Sequence, residues 1–493
     1  MFETAELGHT VSKEDYEREV PGLRGELLDL QYTLLESKGF SVLILLNGLD
    51  GAGKGETVNL LHEWLDPRHL LARGFDYDRI DPAEAERPWL WRYWQCLPQK
   101  GKTGILVGSW YGELLQGAFT RTLKRSAIEH RLEQIKNFER LLEADGVLLI
   151  KLFFHLSLEQ QKARLKALRK DPDTRWRVTD ADLTRLRHYA EYRRGVEKVL
   201  RETSTGPAPW TLVEGFDERY RALTVGTLLR DRLKERLEGA APPQPPKPPP
   251  VSPGVATVNI LDRVDLTKVV PKKRYEQELE HLQGRLNELS RHKRFQKRSA
   301  LCVFEGWDAA GKGSTIRRLT QALDARRYEV VPIAAPSEEE RGYPYLWRFW
   351  RRLPRHGRFT FYDRSWYGRV LVERVEGFAD EITWQRAYAE INDFEEQLVE
   401  RGVILCKFWL HIDEAEQERR FRAREETGYK RFKITEEDWR NREKAPAYRE
   451  AVADMVERTS TDLSPWTLVE ANDKRHARLK VLRTLVDAVE AAL

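Results

Sequence analysis

The sequence predicts an α/β protein of two tandem domains, each a parallel sheet with helices on both faces. Three observations predict it. GLDGAGKG (48–55) and GWDAAGKG (306–313) each lie between a short apolar run and a helical pattern, the context of a phosphate-binding P-loop. A common series recurs on a long period: Asp50 returns as Asp308, Trp110 as Trp366, and the PWTLVE at Pro209 as the PWTLVE at Pro465. Solenoid repeats run only about 20 to 50 residues, so this period means duplicated domains. Between the copies, GAAPPQPPKPPPVSPG (239–254) carries eight prolines from Pro242 to Pro253, a composition that favours an extended connector and excludes helix or sheet. The domains expected are 1–238 and 255–493, joined by the linker 239–254.

Each domain opens with an amphipathic helix. In the second, Tyr275, Leu279, Leu282, Leu286 and Leu289 step by three and four, placing one apolar face against a sheet. Short apolar strands follow at 300–304, 328–332, 359–362, 403–410 and 466–469, separated by helical stretches. Such strands form parallel sheets, whose ligands lie at the carboxyl ends of the strands. The P-loop and Asp363 both fall there.

At 493 residues the chain exceeds one ordinary core, and domains of about 200 to 250 residues suit it. With 84 Lys and Arg against 79 Asp and Glu, the net charge of +5 is small for a chain with 33% charged residues. That balance argues against an unspecific nucleic-acid coat. Cys96, Cys302 and Cys406 show no CxxC spacing and suit buried thiols in a reducing compartment. The N-terminus has no signal-like pattern, and the apolar runs fall short of the 18 or so residues a membrane helix needs. A cytoplasmic protein with no membrane and no specific nucleic-acid partner is expected; a homo-oligomer is left open.

The chemistry concentrates in the second copy. Backbone N–H groups around Gly306, Gly311, Gly313 and Ser314 suit phosphate oxygens, and Lys312 reaches a bridging or terminal phosphate. Gly313 stands where the common pattern has the Ser or Thr that ligates magnesium, so the site needs other oxygens. Asp308 and Asp363 are the candidate metal ligands; the plainer alternatives are a turn residue and a strand-end cap. Downstream, FYDRSWYGRVLVERV (361–375) faces LVGSWYGELLQGA (106–118) in the first copy. Asp363, Arg364, Arg369, Glu373 and Arg374 are thus replaced by Val107, Gly108, Glu113, Gly117 and Ala118. Arg364 and Arg369 suit phosphate contacts, whereas Glu373 reads equally as a supporting acid or a surface ion-pair partner. A basic stretch with Arg419, Arg420, Arg422, Arg424, Lys430, Arg431 and Lys433 reads as a lid over substrate, although charge runs are usually solvated faces. The aromatic stretches PWLWRYW (88–94) and PYLWRFW (344–350) read as packing rather than base-stacking platforms.

Together GxDxxGKG, DRSWYGR, the basic stretch and PWTLVEANDKRHAR (465–478) resemble the polyphosphate kinase 2 family over nearly the whole chain, and the duplicated length resembles its two-domain members. The resemblance implies a P-loop kinase-like fold with a lid, magnesium dependence, inorganic polyphosphate as donor and AMP as acceptor, giving ADP. Asp308, Lys312, Asp363, Arg364, Arg369 and Glu373 match its motif positions. In the first copy only Asp50, Lys54 and the SWYG from Ser109 match, so that domain is expected to be catalytically silent. Two other readings stay open at this level: an ATP-dependent nucleoside monophosphate kinase and a polyphosphate-binding regulatory module.

Overall fold

A computed structural model describes residues 1–75, 80–120, 124–239, 259–426 and 442–493. The linker from residue 240 to 254 lies outside them. By contact the chain forms two units, neither a single stretch of sequence. The first is Met1–Asp81, Leu90–Pro245 and Pro336–Arg351; the second is Pro82–Trp89, Pro246–Ala335 and Arg352–Leu493.

Each unit holds a five-stranded sheet whose pairings are all parallel. In the first the order is β2-β3-β1-β4-β5, from β1 (Ser41–Gly48), β2 (Leu70–Gly74), β3 (Thr103–Val107), β4 (Val147–His155) and β5 (Trp210–Glu214). In the second it is β10-β9-β6-β8-β7, from β6 (Ser299–Gly306), β7 (Tyr328–Pro332), β8 (Phe359–Asp363), β9 (Val403–His411) and β10 (Trp466–Glu470). The strand positions read from sequence agree to within two residues at each end. β6 is buried along nearly its whole length, as a strand covered on both faces must be. The helix Lys272–Arg291 buries Tyr275, Leu282, Leu286 and Leu289, and packs with the helix Lys474–Ala492. Leu286 is fully buried, so its replacement by Ala costs about 2 to 5 kcal/mol.

The aromatic stretches are core. Leu90, Tyr93 and Trp94, with Leu346, Trp347, Phe349 and Trp350, are buried. Within the first unit the rings of Trp94 and Trp350 stack at 5.5 Å and 12°.

Candidate functional site

β6 ends at Gly306 with φ +145°, where a Cβ would meet the Leu410 carbonyl oxygen of β9 at 2.4 Å. Only glycine lets the chain leave the sheet so close to its neighbour. Gly311, with φ +109°, caps the helix Lys312–Thr320, so the first N–H groups of that helix point back into the loop. Lys312 Nζ donates to Gly306 O at 2.7 Å and Trp307 O at 3.3 Å. Burial pushes its pKa down, against the charge of Asp308. The Ser314 hydroxyl donates to Gly311 O at 2.9 Å and accepts from Arg478 at 3.4 Å.

Parallel pairing brings the end of β8 beside this loop, with Phe304 opposite Asp363. A Cβ on Gly313 would lie 3.5 Å from Asp363 Oδ2, so the carboxylate sits over the helix's first turn, where the common motif projects a hydroxyl. Arg364 Nη2 donates to Asp308 Oδ1 at 3.1 Å, and Arg369 pairs with Glu373 at 2.9 Å. Asp308, Lys312, Asp363 and Arg364 are thus gathered at one end of the sheet, and the two carboxylates beside a phosphate cradle are the hard-oxygen donors a divalent cation takes.

Not every basic residue of the motifs faces this site. Arg374 binds Asp454 at 2.6 Å and the Tyr388 hydroxyl at 3.0 Å, and lies over the Trp384 ring. Arg420, read as a lid arginine, is buried instead. Its guanidinium donates to the carbonyls of Ala309 and Ala310, each at 2.9 Å, and to those of Ala471 and Asn472 at 2.6 and 2.9 Å, tying the P-loop to the end of β10. Arg419 pairs with Glu416, and Arg422 with Glu418. Lys430, Arg431 and Lys433 lie outside the described residues.

Sequence reasoning missed Glu305. It is 6% exposed, and its Oε1 accepts from the Ser365 hydroxyl at 2.7 Å; burial raises its pKa. The contact ties the last residue before the P-loop to the turn after Asp363. Its signal was visible as one acid ending an otherwise apolar strand. In the first unit Asn47 holds the corresponding serine, Ser109, at 3.0 Å.

The first unit keeps the cradle but not the acid. Lys54 Nζ donates to Gly48 O at 2.7 Å and Leu49 O at 2.8 Å. Val107 ends β3, opposite Leu46. Asp50 is already paired with Arg185 at 2.7 Å, and Arg185 also binds Asp182. The guanidinium of Arg221 fills the space a Cβ on Gly53 would need.

The residues that both copies retain have a different task. Trp366 Nε1 and the Tyr367 hydroxyl donate to Glu395 Oε1 at 3.0 and 2.7 Å, and Lys407 Nζ lies 2.6 Å from Glu395 Oε2. Trp110, Tyr111, Glu139 and Lys151 repeat this network in the first unit, at 2.9, 2.6 and 2.7 Å. Trp366 and Tyr367 of the motif therefore belong to a buried structural network, whereas the flanking Asp363 and Arg364 lie beside the P-loop.

A family profile described as Polyphosphate kinase 2 (PPK2) matches residues 10–240 and 269–493. The chain is 53% identical to a polyphosphate:AMP phosphotransferase of Pseudomonas aeruginosa over 494 residues, covering 100% of this chain and 99% of that one. It is 50% identical to a polyphosphate:AMP phosphotransferase of Pseudomonas syringae pv. tomato, covering 100% and 99%. A crystal structure described as a polyphosphate kinase 2 of Pseudomonas aeruginosa PA01 is similar with a TM-score of 0.90 and 51% identity, over 100% of this chain and 99% of that one.

Proposed function

The chain belongs to the polyphosphate kinase 2 family, and from that premise we propose that it is a polyphosphate:AMP phosphotransferase, moving a phosphoryl group from inorganic polyphosphate to AMP to give ADP. The carrying observation is Asp363 set over Gly313 beside Lys312, a carboxylate at a phosphate cradle, which supports cation binding there.

An oxygen of the AMP phosphate attacks the terminal phosphorus of the donor. One P–O bond forms as the bond to the rest of the chain breaks, and the leaving oxygen keeps the electron pair on a polyphosphate one unit shorter. The nucleophile is already anionic, so no general base is needed; the protein must hold two anions in line. Loop N–H groups and Lys312 hold phosphate oxygens, with Arg364 and Arg369 on the charge that spreads in the transition state. Asp308 and Asp363 would hold magnesium, which when bound neutralises phosphate charge. Glu305 positions the turn that carries Arg364.

Residues 255–493 carry the catalysis in this reading. Residues 1–238 support stability or hold the polyphosphate tail. The three buried cysteines and the lack, among the described residues, of a helix long and apolar enough to cross a membrane support a cytoplasmic location.

Purified protein with magnesium, long-chain polyphosphate and AMP tests the function by chromatography. ADP is expected without ATP; ADP formed only when ATP is supplied overturns the donor.

A further inference from the structure

Parallel pairing gathers the amino ends of the strands as surely as their carboxyl ends, and in the second unit those amino ends are basic. The neighbouring strands β6, β8 and β7 are entered through RHKRFQKR (291–298), RHGR (355–358) and DARR (324–327). These segments border a cleft of about 410 Å³ whose lining includes Arg291, Arg326, Arg327 and Arg358, with Asp324 and His356. Asp363 lies at the other end of β8, which at five residues puts about 16 Å between the two ends. The cleft is therefore separate from the phosphate cradle.

Its charges are not balanced from within. Asp324 is taken up by Arg326, whose Nε and Nη2 donate to it at 3.0 and 2.7 Å. Arg327 is half-buried and fixed by its Nη1, which donates to Ser290 O at 2.8 Å. Arg291 and Arg358 are exposed and hold no hydrogen bond or ion pair among the described residues. Burial pushes the His356 pKa down, so its ring adds no charge at neutral pH. Arg291, Arg327 and Arg358 are thus left without a carboxylate of their own. On the outer helices of the same unit exposed arginines are paired, Arg274 with Glu278 and Arg285 with Glu288. Like charges crowded without partners repel one another, an arrangement that suits an anionic ligand.

The sheet does not require this set. In the first unit Lys102 stands where Arg358 is and His69 where Arg327 is, while Asp66 and Arg68 are joined by the Tyr32 hydroxyl at 2.7 and 3.0 Å. The forked donors belong to the copy that carries Asp363. Guanidinium groups bind phosphate oxygens two at a time, and several in a row suit a ligand with a phosphate at every step.

We propose that this cleft is a second binding site for inorganic polyphosphate, which holds a stretch of a long chain away from its reacting end. The proposal rests on polyphosphate being the donor, as inferred above. Such a site raises affinity for long chains without touching the transferred group, so it acts on KM for polyphosphate and not on kcat.

The test compares the full chain with its Arg291→Ala, Arg358→Ala double variant, by calorimetric titration with long-chain polyphosphate and by kinetics. Both side chains are exposed and unpaired, so the variant should keep the parent's melting curve, its kcat at saturating polyphosphate and its KM for AMP. Affinity for long-chain polyphosphate is expected to fall about threefold to tenfold, with a matching rise in KM. The logarithm of the affinity should also fall less steeply with the logarithm of salt concentration, by about 1 to 2 in slope, because two phosphate contacts are lost. The paired Arg291→Lys, Arg358→Lys variant keeps the charge and should recover most of the affinity. Unchanged affinity in the alanine variant, no recovery in the lysine variant, or a fall in kcat overturns the proposal. A single-stranded DNA oligonucleotide that binds the unaltered chain more tightly than polyphosphate, and loses that advantage in the alanine variant, overturns it in favour of a nucleic acid. Failure of the donor assignment is read separately, as no ADP from the unaltered protein.

Discussion

Arg364 and Gly108 occupy the same step of the two copies, one residue past the strand beside the P-loop, and share a left-handed backbone with φ of +64° and +68°. For glycine that conformation is free; for arginine it is strained by about 1 to 2 kcal/mol. Strain of this kind is tolerated where a side chain is needed at one place, here 3.1 Å from Asp308. Arg364→Gly should therefore match or exceed the parent in thermal stability while losing at least about a hundredfold in turnover. Arg364→Lys keeps the strain and should not gain stability. Melting curves and initial rates on the two variants decide this.

Asp363→Asn preserves shape but removes charge above Gly313. Turnover should fall by about three orders of magnitude with an unchanged melting profile, since the magnesium that Asp363 would hold neutralises charge that develops during transfer. Near-normal rates at ordinary magnesium concentrations remove Asp363 from the metal site.

The two lysines of the cradles separate the roles of the copies. Both donate to carbonyls of their own loops, yet only Lys312 has an acid across from it at the end of the neighbouring strand. Lys312→Ala should abolish most activity, and Lys54→Ala should leave most of it. Equal losses show that both loops take part in turnover.

Stability should not follow that asymmetry. Lys407 and Glu395 are 0% and 1% exposed, and Lys151 and Glu139 are 0% and 2%. Removing one member strands a buried charge, so Lys407→Met and Lys151→Met should each destabilise their own unit by about 3 to 5 kcal/mol. Denaturant unfolding followed for each unit checks it; losses below about 1 kcal/mol contradict the structural role.

His411 predicts a pH dependence. Burial, then the charge of Arg449, holds its pKa down at about 4 from 6.5. Between those values the unfolded chain binds the proton and the folded chain does not. Stability therefore falls as pH drops through this window, by up to about 3 kcal/mol, and is fully present above pH 6.5. His411→Asn should flatten that part of the stability profile by the same amount.

The sequence alone determined whatever depends on neighbours along the chain. Alternating apolar runs and helical patterns specify parallel strands, glycines at Gly306 and Gly311 mark the cradle, and replacement of Asp363 by Val107 reveals an altered copy without any coordinates. Groups made by packing were decided only by the tertiary structure. Nothing local distinguishes Arg420, which holds four backbone carbonyls, from Arg419 beside it on the same helix. Nor does any spacing reveal that Trp366 and Tyr367 serve Glu395 and Lys407 while Asp363 and Arg364 lie beside the P-loop. Those assignments follow from which side chains are desolvated together: a buried charge must find its partner wherever the fold brings one, however far away in sequence.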